Sequence, residues 1–127
     1  MTDRLLLDTD VLIDYLRGND NAIRFLENLQ EQLCISVITF AELYAGIRNK
    51  KEQRVIEKFL AAFDVLAIDQ VIAIKGGLFR KEYMPSHGVG LADALIAATA
   101  EICQARLVTL NQRHFPMLDV IVPYKSS

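Results

Sequence analysis

Three acids and an asparagine stand where apolar runs of this 127-residue chain give way to helices or turns. Asp8 closes the run LLL, Glu42 follows LCISVI (residues 33–38), Asp93 lies near the start of LADALIAATA (91–100), and Asn111 follows RLVTL (106–110). Each acid has an ordinary structural account. Asp8 could cap a helix, Glu42 follows Thr39 at the T-x-x-E spacing of a capping box worth about 1 kcal/mol, and the helix macrodipole favours Asp93 by ~0.3–1 kcal/mol. Gathered in one place they would do something else. Two carboxylates ~4 Å apart repel by about 4 kcal/mol at an effective dielectric of ~20, more than the caps return, and a cation removes that conflict. Oxygen donors without cysteine or histidine suit Mg²⁺ or Mn²⁺, held by one or two carboxylates with water and phosphate completing the shell.

The elements that must gather these residues follow from the apolar periodicity. Short β-branched or leucine-rich runs at 4–8, 33–38, 64–68, 106–110 and 119–122 read as strands, the last stopped by Pro123. Helices are expected from Thr9 or Asp10 to about Leu16, after a cap at Asp20 or Asn21, from Thr39, and beyond a polar turn RNKKEQR (48–54). Another runs from about Asp69 to Tyr83, where Gly76 and Gly77 each cost roughly 1 kcal/mol relative to alanine and imply a kink or close packing. MPSHGVG (84–90) reads as a loop before the alanine-rich helix. Strands alternating with helices predict an α/β fold, a three-layer α/β/α sandwich with a short central parallel sheet of about five strands. In such sheets the site lies outside the carboxyl ends of the strands, where strand order reverses.

Composition bounds the rest. At 127 residues, 52% hydrophobic and 24% charged, residues 1–127 are expected to form one domain. The net charge of −2 argues against broad attraction to nucleic acid, while a local basic patch or a metal could still make that contact. Cys34 and Cys103 lack metal-ligand spacing and read as buried thiols. Neither a signal peptide nor a run long enough to span a membrane is visible, so a cytoplasmic protein is expected.

LLLDTDVLID (5–14), TFAELYAG (39–46), GLADALIAATA (90–100) and LVTLNQRHF (107–115) resemble, in order and spacing, the four motifs of PIN-domain nucleases, in particular the VapC-type toxins of toxin–antitoxin pairs. The resemblance covers nearly the whole chain. It implies a Mg²⁺- or Mn²⁺-dependent endoribonuclease acting on RNA. Asp8 and Asp93 would be metal ligands, Glu42 would bind metal directly or through water, and Asn111 would be the fourth polar position. Many members carry an acid at that fourth position, so asparagine here favours one metal or a site completed by substrate. The resemblance also implies a homodimer and a cognate antitoxin whose C-terminal segment covers the acidic groove.

Other residues carry smaller readings. Thr9 and Thr109 flank Asp8 and Asn111 and could orient them or serve ordinary cap and strand roles. Asp10 and Asp14 read as a cap and a solvated face. His87 and His114 read as loop histidines, Arg48, Lys50, Lys51 and Arg54 as a solvated hairpin tip, and Arg113 as a phosphate contact. The apolar faces of the early helices hint at an association surface. Two other functions remain open from the residues. A phosphoacceptor receiver domain would use Asp69, but it needs an adjacent acidic pair after the first strand and a lysine before a proline, whereas Pro123 precedes Lys125. A PIN-fold module that binds without cutting is permitted by Asn111.

Overall fold

A computed structural model describes residues 3–126. Its elements run β1 (Arg4–Leu7), α1 (Thr9–Leu16), α2 (Asp20–Glu27), β2 (Gln32–Ser36), α3 (Val37–Ala45), α4 (Lys50–Leu60), β3 (Asp64–Leu66), α5 (Gln70–His87), α6 (Leu91–Ile102) and β4 (Arg106–Val108), then a 3₁₀ turn at Gln112–His114. The parallel sheet has order β3-β2-β1-β4. Order therefore reverses beside β1: the chain steps outward through β2 and β3, then returns to the opposite side of β1 as β4. The cleft is expected between β1 and β4 at their carboxyl ends.

Alternation along the strands makes two cores. Leu6, Cys34 and Leu107 face Ile72 and Phe79 of α5 and the alanines of α6. Leu5, Leu7, Ile35 and Val108 face Val11 and Leu12 of α1, Leu26, Leu43 and Leu60. β1 and the carboxyl-end halves of β2 and β4 are buried on both sides, which is why they read as continuous apolar runs, while β3 is an exposed edge strand. Gly76 serves close packing: a Cβ there would lie 2.6 Å from Leu95 Cδ2 and 3.1 Å from Leu95 Cα, so α5 and α6 meet where a side chain is missing. Cys34 is buried, Cys103 half-buried, and both are free thiols. No helix among the described residues is long and apolar enough to cross a membrane.

Several expected boundaries move. The sheet has four strands, not five: the segment 119–122 makes one isolated parallel bridge, Val108 to Ile121, held by two backbone hydrogen bonds of 2.8 and 3.0 Å. Pro123 has no amide with which to extend the ladder. Asn19, not Asp20 or Asn21, caps α2 by accepting from Ala22 N, and Ser36 caps α3 three residues ahead of Thr39. Asn49 caps α4, so Lys50, Lys51 and Arg54 lie on a helix and not in a turn. Helix α5 continues through Pro85 to His87, where Gly88 ends it at φ 64° with its amide bonded to Met84 O. Pro85 falls in the last turn, where one lost hydrogen bond is tolerated and the left-handed glycine supplies the stop.

Candidate active site

Asp8 leaves β1 as the N-cap of α1 and is 6% exposed. Its amide donates to Val108 O at 2.9 Å, carrying the pairing of β1 with β4 one residue past the strand. Its Oδ1 accepts from Thr9 N at 2.8 Å and its Oδ2 from the hydroxyl of Thr109, also at 2.8 Å. Thr109 is fully buried, and its Oγ1 accepts in turn from Asn111 N at 3.0 Å. The two strands on either side of the reversal point thus lock one carboxylate between them. Burial pushes the Asp8 carboxyl up to about 7, the charge of Asp10 adds to this, the Thr109 and Thr9 hydrogen bonds oppose it, and Asp93 adds a smaller push.

Glu42 is reached through a threonine relay. Thr9 Oγ1 lies 2.6 Å from Glu42 Oε1 and 3.0 Å from the buried Thr39 Oγ1. A hydroxyl has one proton, so with Thr9 donating to Glu42, Thr39 donates to Thr9. Because Ser36 already caps α3, Thr39 and Glu42 are not a capping box, and the carboxylate of Glu42 is turned toward α1.

Asp93 stands in the first turn of α6, which has no side-chain cap. Its Oδ2 lies 3.0 Å from His114 Nδ1, and Asn111 Nδ2 lies 2.8 Å from the same nitrogen. One ring nitrogen cannot accept from an amide while donating to a carboxylate. With its proton on Nδ1, His114 satisfies Asp93 and Asn111 turns its carbonyl oxygen inward. The histidine read as a loop residue therefore joins Asp93 to Asn111; the i,i+3 spacing of Asn111 and His114 across a 3₁₀ turn was its only trace in the sequence.

Two more acids depart from expectation. Asp10 is neither a cap nor solvated: Oδ2 accepts from Leu110 N at 3.2 Å, and Oδ1 is buried with no partner among the described residues. Burial raises its pKa, against the Leu110, Val11 and Thr109 hydrogen bonds. Asp14 accepts from Tyr124 OH at 2.8 Å, tying the C-terminal segment to α1. Asp69 caps α5 by accepting from Ile72 N, and β2 separates its strand, β3, from β1, so it takes no place beside Asp8. His87 pairs with its neighbour Ser86 at 2.8 Å. Arg48 bonds Glu52 at 2.7 Å, while Lys50, Lys51 and Arg54 are exposed, in keeping with a solvated tip.

No three histidine, cysteine or acidic side chains among the described residues converge closely enough to form a closed metal cage. The oxygen donors nevertheless fit a hard divalent ion that keeps most of its water. Asp8 is desolvated and feels the charge of Asp93 as well as that of Asp10, a conflict at Asp8 that a cation between Asp8 and Asp93 would relieve.

A three-layer fold with acids from three chain segments and an asparagine from a fourth beside the reversal point is the pattern of a PIN domain. The PIN-domain sequence model matches residues 5–120, and the chain belongs to that family. Within it, the chain is similar to Ribonuclease VapC10 of Mycobacterium tuberculosis, 42% identical over 122 residues covering 94% of this chain and 91% of that protein. It is also similar to Ribonuclease VapC19 of the same organism, 39% identical over 124 residues covering 94% and 98%. Among solved structures, a toxin–antitoxin complex from Klebsiella pneumoniae superposes with a TM-score of 0.84 at 32% identity, over 96% of this chain and 99% of that one.

Proposed function

We propose that this chain is a divalent-metal-dependent endoribonuclease, the toxin of a toxin–antitoxin pair, working in the cytoplasm. The carrying observation is the hydrogen-bond chain that links four polar residues beside the point where strand order reverses: Thr9 ties Asp8 to Glu42, Thr109 ties Asp8 to the backbone of Asn111, and His114 ties Asn111 to Asp93. The names of the similar ribonucleases and of the Klebsiella complex support the reading. Asp8 and Asp93 would hold Mg²⁺ or Mn²⁺, which when bound supplies a water of lowered pKa and neutralises charge at the scissile phosphate. Thr9 and Thr109 keep Asp8 in one rotamer, and Thr9 aims Glu42 at the same space for an outer contact through water. Asn111 adds an oxygen or amide without a fourth negative charge, so one ion suffices. Purified protein should cut RNA with Mg²⁺ or Mn²⁺ and stop on chelation; cleavage that survives chelation would overturn the metal reading.

Arg113 is exposed beside the Asn111 turn and is the nearest candidate for a substrate phosphate. Arg113→Ala should lower the slope of log affinity against log salt by about one unit, and an unchanged slope discards the contact.

One partner surface adjoins the site residues and a second lies apart from them. A groove of about 750 Å³ between α1 and α3–α4 has Ile13, Leu16, Leu43 and Ile47 in its lining, cations Arg17 and Lys51, and Glu42 among its walls. It would seat an apolar antitoxin segment whose end reaches the carboxylates. The early helices spend most of their apolar faces on the core. The unspent stripe is on α5, where Val71, Ile74 and Leu78 are more than half exposed at i, i+3, i+7 spacing. A second copy of the chain would cover it. Leu78→Glu should convert the dimer to a monomer by light scattering without lowering Tm by more than a few degrees; a variant that stays dimeric places the interface elsewhere.

A further inference from the structure

Asp10 is left over from the site as assembled above, yet it is the contact between α1 and the chain just beyond β4. Its Oδ2 accepts from Leu110 N at 3.2 Å and lies 3.4 Å from Thr109 Oγ1. Leu110 N has no other acceptor among the described residues, so one side chain fixes that peptide. The residues on either side of it do the work of the site. Thr109 holds Asp8 Oδ2 through its hydroxyl, and Asn111 approaches the His114 ring that holds Asp93. A shift of the Leu110 peptide would move both neighbours at once, loosening Asp8 on one side and the Asp93–His114–Asn111 contact on the other.

We propose that Asp10 is a positioning residue: anchored in the first turn of α1, it holds the Thr109–Leu110–Asn111 backbone so that Asp8 and Asp93 keep their relative placement. The inference rests on the ribonuclease reading for its kinetic arm only. Its cost to the protein is visible in the unpartnered Oδ1, a buried oxygen that an apolar residue would not strand. Retaining a carboxylate there is understandable if the strut is needed.

The hydrogen bond, not the charge, is what the strut requires. Asp10→Asn can still accept from Leu110 N through its amide oxygen, whereas Asp10→Ala cannot. With the full-length protein, metal and RNA, Asp10→Ala should lower kcat by about 10- to 100-fold with KM within about threefold, the loss produced by misplacing reacting groups by around 1 Å. Asp10→Asn should stay within about threefold of wild type in both. Amide hydrogen exchange of metal-free protein should show Leu110 N–H exchanging at least tenfold faster in Asp10→Ala and near the wild-type rate in Asp10→Asn. Should alanine fail to fold, Asp10→Ser is too short to span the gap and serves in its place. Wild-type kcat in the alanine variant, unchanged exchange at Leu110, or an asparagine variant as impaired as alanine would each overturn the proposal. If the wild-type protein cuts no RNA, the ribonuclease reading fails, and the exchange arm still decides whether Asp10 holds the peptide.

Discussion

Asp93→Asn is expected to lower metal-dependent RNA cleavage by at least about 10³-fold while leaving the fold intact. The magnitude corresponds to roughly 4 kcal/mol of transition-state stabilisation, in the range a correctly held ion supplies at a reacting phosphate. The fold should survive because the side chain of Asp93 is 29% exposed and forms no cap on α6; its hydrogen-bond partner is His114. Asparagine has the same shape and can still meet the ring. Initial rates on a labelled RNA with Mg²⁺ or Mn²⁺, beside a thermal melt, make the measurement. A variant that melts like wild type and cuts within tenfold of its rate removes Asp93 from the metal site.

Asp8→Asn should also abolish cleavage, and unlike Asp93→Asn it should raise the stability of the metal-free protein at neutral pH and above. In the metal-free protein the folded state keeps the Asp8 proton until about pH 7, whereas the unfolded chain releases it near 3.8. Between those values folding takes up a proton, so this carboxyl contributes its full stability below pH 4 and loses it as pH rises toward 7. The gap is equivalent to roughly 4 kcal/mol as an upper bound. Asparagine keeps an acceptor for Thr9 N and meets the Thr109 hydroxyl without a charge to desolvate. Denaturant titrations of chelated protein should show wild type weakening from pH 5 to pH 8, and Asp8→Asn gaining by on the order of 1–4 kcal/mol at pH 8. Added Mg²⁺ should stabilise wild type and not the variant. A variant less stable than wild type at pH 8 without metal would show that Asp8 serves the fold and not the site.

The residues that face the cleft and the layers that carry them could be read from the chain because they depend on period. An apolar run ending in a polar residue marks a strand tip, and β-α alternation fixes which tips share a rim. What period does not encode is how each carboxylate is held. Thr39 read as the first residue of a helix, and only the Ser36 cap shows that it is one turn inside and free to support Thr9. His114 carried only its i,i+3 spacing to Asn111, since its partner Asp93 is 21 residues away. Asp10 read as helix support because a carboxylate at a helix start usually is, and nothing local points to Leu110, 100 residues on. The fifth strand failed for a simpler reason: β-branched composition reports a tendency to pair, and Pro123 limits that pairing to a single bridge.

The sheet order has a consequence for the moment of synthesis. β1 is the first strand to be made and β4 the last, yet they are neighbours, and the contact that fixes Asp8 joins residues 101 positions apart. A growing chain that has released its first three strands has Asp8 and Glu42 but lacks the Thr109 hydroxyl and the Asn111–His114 turn. The Asp8 carboxylate is therefore clamped only when the last strand of the sheet closes on the first.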